Sequence, residues 1–179
     1  MRTRTLGSDG PEVSVVGFGA WEAGGGREWG QAPPDEQVLE AIGAVFDAGI
    51  TWIDTAEAYG SGRSEELVSR AIAGRRDEVL IATKVAPRPS GSGFRPEEVR
   101  RACTGSLRRL ATDHLDLYQL HWPDGTGVPV EDTWGAMAAL VDEGLVRAVG
   151  VSNFDRELIE RCEAVRHVDS LQQEFSMLV

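Results

Sequence analysis

The chain has 179 residues, 41% hydrophobic and 26% charged, enough for one domain with a real core and unlike a disordered tail or a disulfide-stapled mini-protein. Acidic residues outnumber basic ones by 29 to 18, a formal charge of −11, and no arginine cluster alternates with aromatics, so neither nucleic acid nor a membrane surface is expected as a partner. No apolar run approaches the ~18 residues of a membrane span, and Cys103 and Cys162 lack ligand-spaced neighbours, which fits core cysteines in a reducing, cytoplasmic setting.

In chain order, residues 3–6 and 12–15 flank the turn SDGP and predict a small hairpin. Apolar runs then predict strands at 13–18 (VSVVGF), 51–54 (TWID), 78–84 (EVLIATK), 115–121 (LDLYQLH), 146–151 (VRAVGV) and 170–172 (SLQ), several of them apolar on both faces. Helical periodicity fills the intervals at 35–48, 64–73, 96–110, 131–143 and 155–165. Their ends carry matching signals: Pro96 for a first turn, Ser64 and Asp155 as caps, and Gly49, Gly74 and Gly144 for left-handed C-terminal positions. The stretches 24–26 and 87–93 (PRPSGSG) are expected to be mobile loops.

This βαβα alternation implies a parallel sheet with helices outside it, in a single domain spanning 1–179. Gly19, Asp54, Lys84, His121, Ser152 and Gln172 each end a predicted strand, at separations of 35, 30, 37, 31 and 20 residues. In a (β/α) barrel such positions converge on the C-terminal rim, where active sites are built; in a doubly wound sheet they spread along an edge.

Four of these residues invite chemistry. Singly, Asp54 reads as a turn-former, Tyr59 as a loop aromatic, Lys84 as a surface charge and His121 as a satisfied rim histidine. Together they read differently. Lys84 is the sole lysine among 18 basic residues and closes the apolar run VLIAT, so its ammonium is expected at the sheet mouth with Asp54 as counter-charge. An adjacent cation should lower the pKa of Tyr59 from its usual value of about 10, making it a general acid toward a carbonyl oxygen that turns negative as hydride reaches its carbon. His121 could hydrogen-bond and orient the same oxygen. No nucleophile with a partnered base, phosphate-binding loop or metal-spaced histidine pair is present; GFGAW at 17–21 begins like a dinucleotide fingerprint but lacks its third glycine.

GFGAW (17–21), DAGITWIDTAEAYGSGRSE (47–65), TKV (83–85), DLYQLHWPD (116–124), GLVRAVGVSNF (144–154) and LQQEF (171–175) together resemble the aldo-keto reductases, in order and at the right separations. The family's D-x-x-x-x-Y, K and H pattern falls on Asp54, Tyr59, Lys84 and His121. The resemblance implies a (β/α)8 TIM-type barrel using an extended nicotinamide cofactor, NADPH with NADH left open, to reduce a small aldehyde or ketone. It assigns Ser152, Asn153 and Gln172 to the nicotinamide carboxamide, and Trp21 and Trp122 to the substrate pocket. The loop at 24–31 offers Trp29 as a further apolar wall, and the scattered histidines predict no metal.

The barrel is expected to be incomplete. Six strand ends are followed by seven residues, where the resemblance implies two further βα units carrying much of the cofactor site. This predicts the N-terminal portion of a reductase, prone to self-association through unclosed edges. The alternatives are a nucleotide-sensing or regulatory barrel without useful turnover, and a truncated, inactive product.

Overall fold

A computed structural model of the chain describes residues 1–8, 10–25 and 30–176. Strands β1 (Thr3–Thr5) and β2 (Glu12–Ser14) form the expected antiparallel hairpin. There follow β3 (Phe18–Gly19), the short helix α1 (Trp21–Gly24), α2 (Asp35–Asp47), β4 (Trp52–Asp54), α3 (Arg63–Ala71), β5 (Leu80–Val85) and α4 (Pro96–Leu110). Then come β6 (Leu115–Leu120), α5 (Val130–Asp142), β7 (Val146–Ser152), α6 (Arg156–Glu163) and β8 (Ser170–Gln172).

Strands β3 to β8 form one sheet in sequence order, every neighbouring pair parallel. Consecutive parallel strands with a helix in each return connection produce the curled wall of a (β/α)8 barrel, here six strands of it. Among the described residues β3 and β8 each pair on one side only.

Period-two alternation gives the wall two faces. Ile53, Ile81, Val85, Tyr118, Leu120, Val149 and Val151 point outward and merge with Val38, Ile42, Val99, Cys103, Trp134, Met137 and Cys162 from the helices into the main core. Inside, the register aligns Ala82, Leu117 and Ala148 in one rung, which packs with Leu6 and Trp52 as a second small core. The next rung toward the C-terminal rim aligns Lys84, Gln119, Gly150 and Ser170. The inner face thus turns from apolar to polar within two residues of each strand's end. Both cysteines are buried, their thiols pushed up to about 12 by burial, so neither is a ready nucleophile.

Several local expectations change. Residues 13–14 belong to the hairpin, where Ser14 pairs with Thr3 and is also bonded through its N–H and hydroxyl to Thr51, and the first barrel strand shrinks to Phe18–Gly19. Glu78 sits in a 3₁₀ turn (Arg76–Glu78) before β5 begins at Leu80. Ser64 does not cap α3, which starts one residue earlier after a left-handed Gly62; its hydroxyl instead donates to the Ala20 carbonyl at 2.7 Å and lies 2.8 Å from the Thr55 hydroxyl. Gly24, expected in a loop, is buried at the end of α1. The 87–93 segment is tied down by Glu57, whose carboxylate accepts from Ala86 N at 3.1 Å, Ser92 N at 2.9 Å and Ser92 Oγ at 2.7 Å. Asp155 does cap α6, accepting from Leu158 N at 2.9 Å, and Pro96 opens α4.

Candidate active site

Four of the six predicted strand-end residues, Lys84, His121, Ser152 and Gln172, line one cavity of about 840 Å³ together with Tyr59 and Asn153, with Trp21 and Trp122 at its walls; Gly19 and Asp54 do not line it, and Asp54 lies behind it, bonded to Lys84. That volume suits a small organic ligand. Trp29 lies outside the described residues.

Lys84 is the centre of the site. Its side chain is 1% exposed, so the strand's apolar run delivers it into the interior and not to the surface. The ammonium uses its three protons on the Asp54 carboxylate (2.7 and 2.8 Å), the Thr55 carbonyl (2.9 Å) and Tyr59 Oη (3.3 Å). Burial pulls its pKa below the ordinary lysine value while Asp54 pulls it back up.

Tyr59 follows the turn after β4. Its ring stacks on Trp21 with centroids 6.0 Å apart and meets His121 edge-on at 5.4 Å. The contact with α1 depends on two glycines: a Cβ on Gly24 would stand 2.5 Å from the Tyr59 carbonyl carbon, and one on Gly60 would stand 2.4 Å from the Gly24 oxygen. Arg63 closes the same junction from α3, donating to the carbonyls of Ala23 and Pro33 and to Asp35.

The expected lowering of the Tyr59 pKa is reversed: burial first, then the carboxylates of Asp54 and Glu22, hold the phenol above its ordinary value. Asp54 balances most of the field that Lys84 would exert alone, and loss of water outweighs the remainder. Tyr59 therefore keeps its proton in this environment. His121 faces it with Nε2 3.4 Å from Oη and stacks on Trp122 at 3.6 Å. Burial, with Lys84 adding to it, pushes the His121 pKa down to about 3, so the imidazole is neutral. Among the described residues its Nδ1 is buried without a hydrogen-bond partner.

The remaining predicted residues form the opposite wall. Asn153, in the left-handed region with φ 60°, donates from Nδ2 to the His121 carbonyl at 3.2 Å and to Ser152 Oγ at 3.1 Å. Gln172 donates from Nε2 to Asp54 Oδ2 at 3.2 Å. Sequence reasoning missed Thr55, Glu57 and Gln119; the available signal was a polar residue on the inward period of a strand or just past its end. Among the described residues no group of three or more His, Cys, Asp or Glu is placed to hold a metal ion, and no helix is long and apolar enough to cross a membrane.

The Aldo/keto reductase family model matches residues 15–179. Aldo-keto reductase YhdN of Bacillus subtilis (strain 168) is 42% identical over 187 aligned positions, covering 99% of this chain and 54% of the relative. A thermostable aldo-keto reductase solved with the inhibitor epalrestat superposes with TM-score 0.87 at 38% identity, over 98% of this chain and 63% of that one. An aldo-keto reductase from Klebsiella pneumoniae, solved with NADPH, gives TM-score 0.75 at 39% identity over 90% of this chain and 53% of that one. The chain spans about half the length of the curated relatives it matches, 54% of YhdN and 51% of a probable aldo-keto reductase from Glycine max. A family match over nearly the whole chain, on a curled parallel sheet whose rim gathers the Asp, Tyr, Lys and His of the sequence pattern, places this protein in the aldo/keto reductase family.

Proposed function

We propose that this chain carries the carbonyl-reducing site of an NADPH-dependent oxidoreductase that converts aldehydes or ketones to alcohols, with Asp54, Tyr59, Lys84 and His121 as its catalytic set. The observation that carries the reading is the set of donors around Tyr59 Oη. Lys84 Nζ donates to it from 3.3 Å. An orphaned N–H is rarer in folded proteins than an orphaned acceptor, so the unpartnered Nδ1 of His121 puts that ring's proton on Nε2, the nitrogen facing Tyr59 at 3.4 Å. With two donors directed at its oxygen, the phenol's own O–H is left to point into the cavity.

A carbonyl oxygen docked there receives a hydrogen bond from Tyr59 O–H, and the single His121 Nε2–H, 3.4 Å from Oη, turns from the phenol to that oxygen while Lys84 keeps its bond to Oη. Bound NADPH supplies hydride to the carbonyl carbon. As the oxygen gains charge, Tyr59 releases its proton to it, and the phenolate left behind is stabilised by the ammonium of Lys84, itself fixed by Asp54. The raised phenol pKa keeps the proton in place until an oxyanion more basic than the phenolate develops. His121, neutral, orients the oxygen without competing as an acid.

The donor set fits the nicotinamide carboxamide. The amino group of Asn153 is occupied by Ser152 and by the His121 carbonyl, which leaves its Oδ1 to accept and the Ser152 hydroxyl to donate. That is the complement of an amide. Trp21 and Trp122 supply apolar walls for the substrate. The presence of NADPH in the Klebsiella pneumoniae relative supports the cofactor.

Titration of NADPH fluorescence, followed by NADPH consumption with an aromatic aldehyde, tests the proposal. Saturable binding with aldehyde-dependent oxidation is expected; saturable binding without turnover would favour a sensing barrel, and no binding would overturn the cofactor reading.

A further inference from the structure

Gln119 has no part in the chemistry above, yet it sits two residues before His121, 2% exposed, in the polar rung of the inner wall. Its register partners are Lys84 on β5 and Gly150 on β7, with Ser170 of β8 beyond. Gly150 has no side chain to fill the space between, and a Cβ there would stand 3.2 Å from Gln119 Oε1 and 2.7 Å from the Ser170 carbonyl oxygen. The Gln119 amide passes across this gap to β8. Its Nε2 donates to Gln172 Oε1 at 3.2 Å, and its Oε1 accepts from Ser170 Oγ at 3.4 Å.

The orientation of each amide follows from the next. Asp54 is bound to Lys84 and offers Gln172 an acceptor only, so Gln172 turns its Nε2 to Asp54 and its Oε1 toward β6. That oxygen requires a donor, which Gln119 Nε2 supplies; reversing either amide would set oxygen against oxygen. The result is one polarised chain, Ser170 to Gln119 to Gln172 to Asp54, joining the proposed cofactor wall to the ion pair.

We propose that Gln119 is a positioning residue, holding the Gln172 amide so that the nicotinamide-facing wall and the Asp54 carboxylate form one network. The inference rests on the cofactor reading of Gln172 given above. It explains why a buried glutamine stands on the inner face of β6 opposite a glycine.

The test is a mutant cycle on NADPH affinity, read by fluorescence, with urea midpoints measured without NADPH. Gln119→Met keeps the length and loses the donor; loss of one hydrogen bond predicts an NADPH Kd raised about 3- to 10-fold. Gln119→Glu offers only acceptors toward Gln172 and should raise Kd further. In a Gln172→Ala background, Gln119→Met should add less than twofold, because the group it positions is gone. The KM for NADPH should rise more than kcat at saturation falls. If Gln119→Met does not fold, Gln119→Asn, too short to reach β8, replaces it with the same expectations. Failure of the wild-type protein to bind NADPH would remove the cofactor reading, and the positioning role with it. Wild-type binding with an unchanged Kd in the Gln119 variants, or a loss that adds in full to that of Gln172→Ala, would overturn the positioning role alone; so would a lowered urea midpoint with unaltered affinity.

Discussion

Replacing Asp54 by asparagine removes the counter-charge of Lys84 while nearly preserving shape. The ammonium is 1% exposed, with the carboxylate oxygens at 2.7 and 2.8 Å as its only charged partner among the described residues. An asparagine oxygen can accept one hydrogen bond but neutralises nothing, and breaking a buried pair from one side costs about 3–5 kcal/mol. The pH dependence has a definite sign. Burial lowers the folded-state pKa of Lys84 below its unfolded value of 10.5, so the unfolded chain binds more protons across that interval and stability rises with pH there. Removing Asp54 lowers the folded value further and starts the interval at lower pH. The deficit of Asp54→Asn against wild type is therefore largest at the acid end, where Lys84 is charged in both states. It narrows as pH rises, by at most about 1.4 kcal/mol per unit for one proton. Urea unfolding of both proteins from about pH 6 up to the unfolded value of 10.5 measures it. A deficit below about 1 kcal/mol, or one that does not change with pH, would mean that the ammonium does not depend on Asp54, and the reasoning about the pair fails.

Three further outcomes are expected. Tyr59→Phe should reduce aldehyde turnover to below a few per cent of wild type while leaving NADPH affinity within about twofold, since the proposal assigns the hydroxyl to proton transfer and the carboxamide to Ser152, Asn153 and Gln172; substantial residual kcat would remove Tyr59 as proton donor. Glu57→Ala deprives two backbone N–H groups and the Ser92 hydroxyl of their acceptor, so the Ser92 amide should exchange hydrogen at least tenfold faster, as mass spectrometry or NMR would detect, with a stability loss of about 1–3 kcal/mol. Gly24→Ala would set a Cβ 2.5 Å from the Tyr59 backbone, forcing α1 and its Trp21 away from the phenol; kcat should drop severalfold and the tryptophan emission of the protein should change, whereas wild-type turnover would show that the α1 contact does not position Tyr59.

Part of the site is legible in the sequence. The polar residues that close apolar runs at 54, 84, 121, 152 and 172 do stand on one rim, because strand periodicity and βα spacing are local properties and parallel strands in sequence order bring their C-terminal ends together. Glu57 and Gln119 were not legible. A glutamate in a turn and a glutamine in a strand have common solvent-facing uses, and nothing near them in sequence says that Ser92 or Gln172 will arrive to meet them. Ser64 shows the same limit in reverse: it has the residue type and place of a cap, and tertiary contact with Ala20 and Thr55 claimed its hydroxyl instead.

The main strands and helices, the parallel sheet and the residues that reach its C-terminal rim follow from the sequence, since these depend on periodicity, chain reversal and helix-end chemistry within tens of residues. It also carried the pattern of the family. Only the tertiary structure decided the charge states. Lys84 was expected to acidify Tyr59; in the folded protein Asp54 compensates the ammonium and burial raises the phenol, while the same loss of water renders His121 neutral. Desolvation depends on everything packed around a group, including Trp21 and Trp122 from distant strand ends, and no stretch of sequence contains that sum.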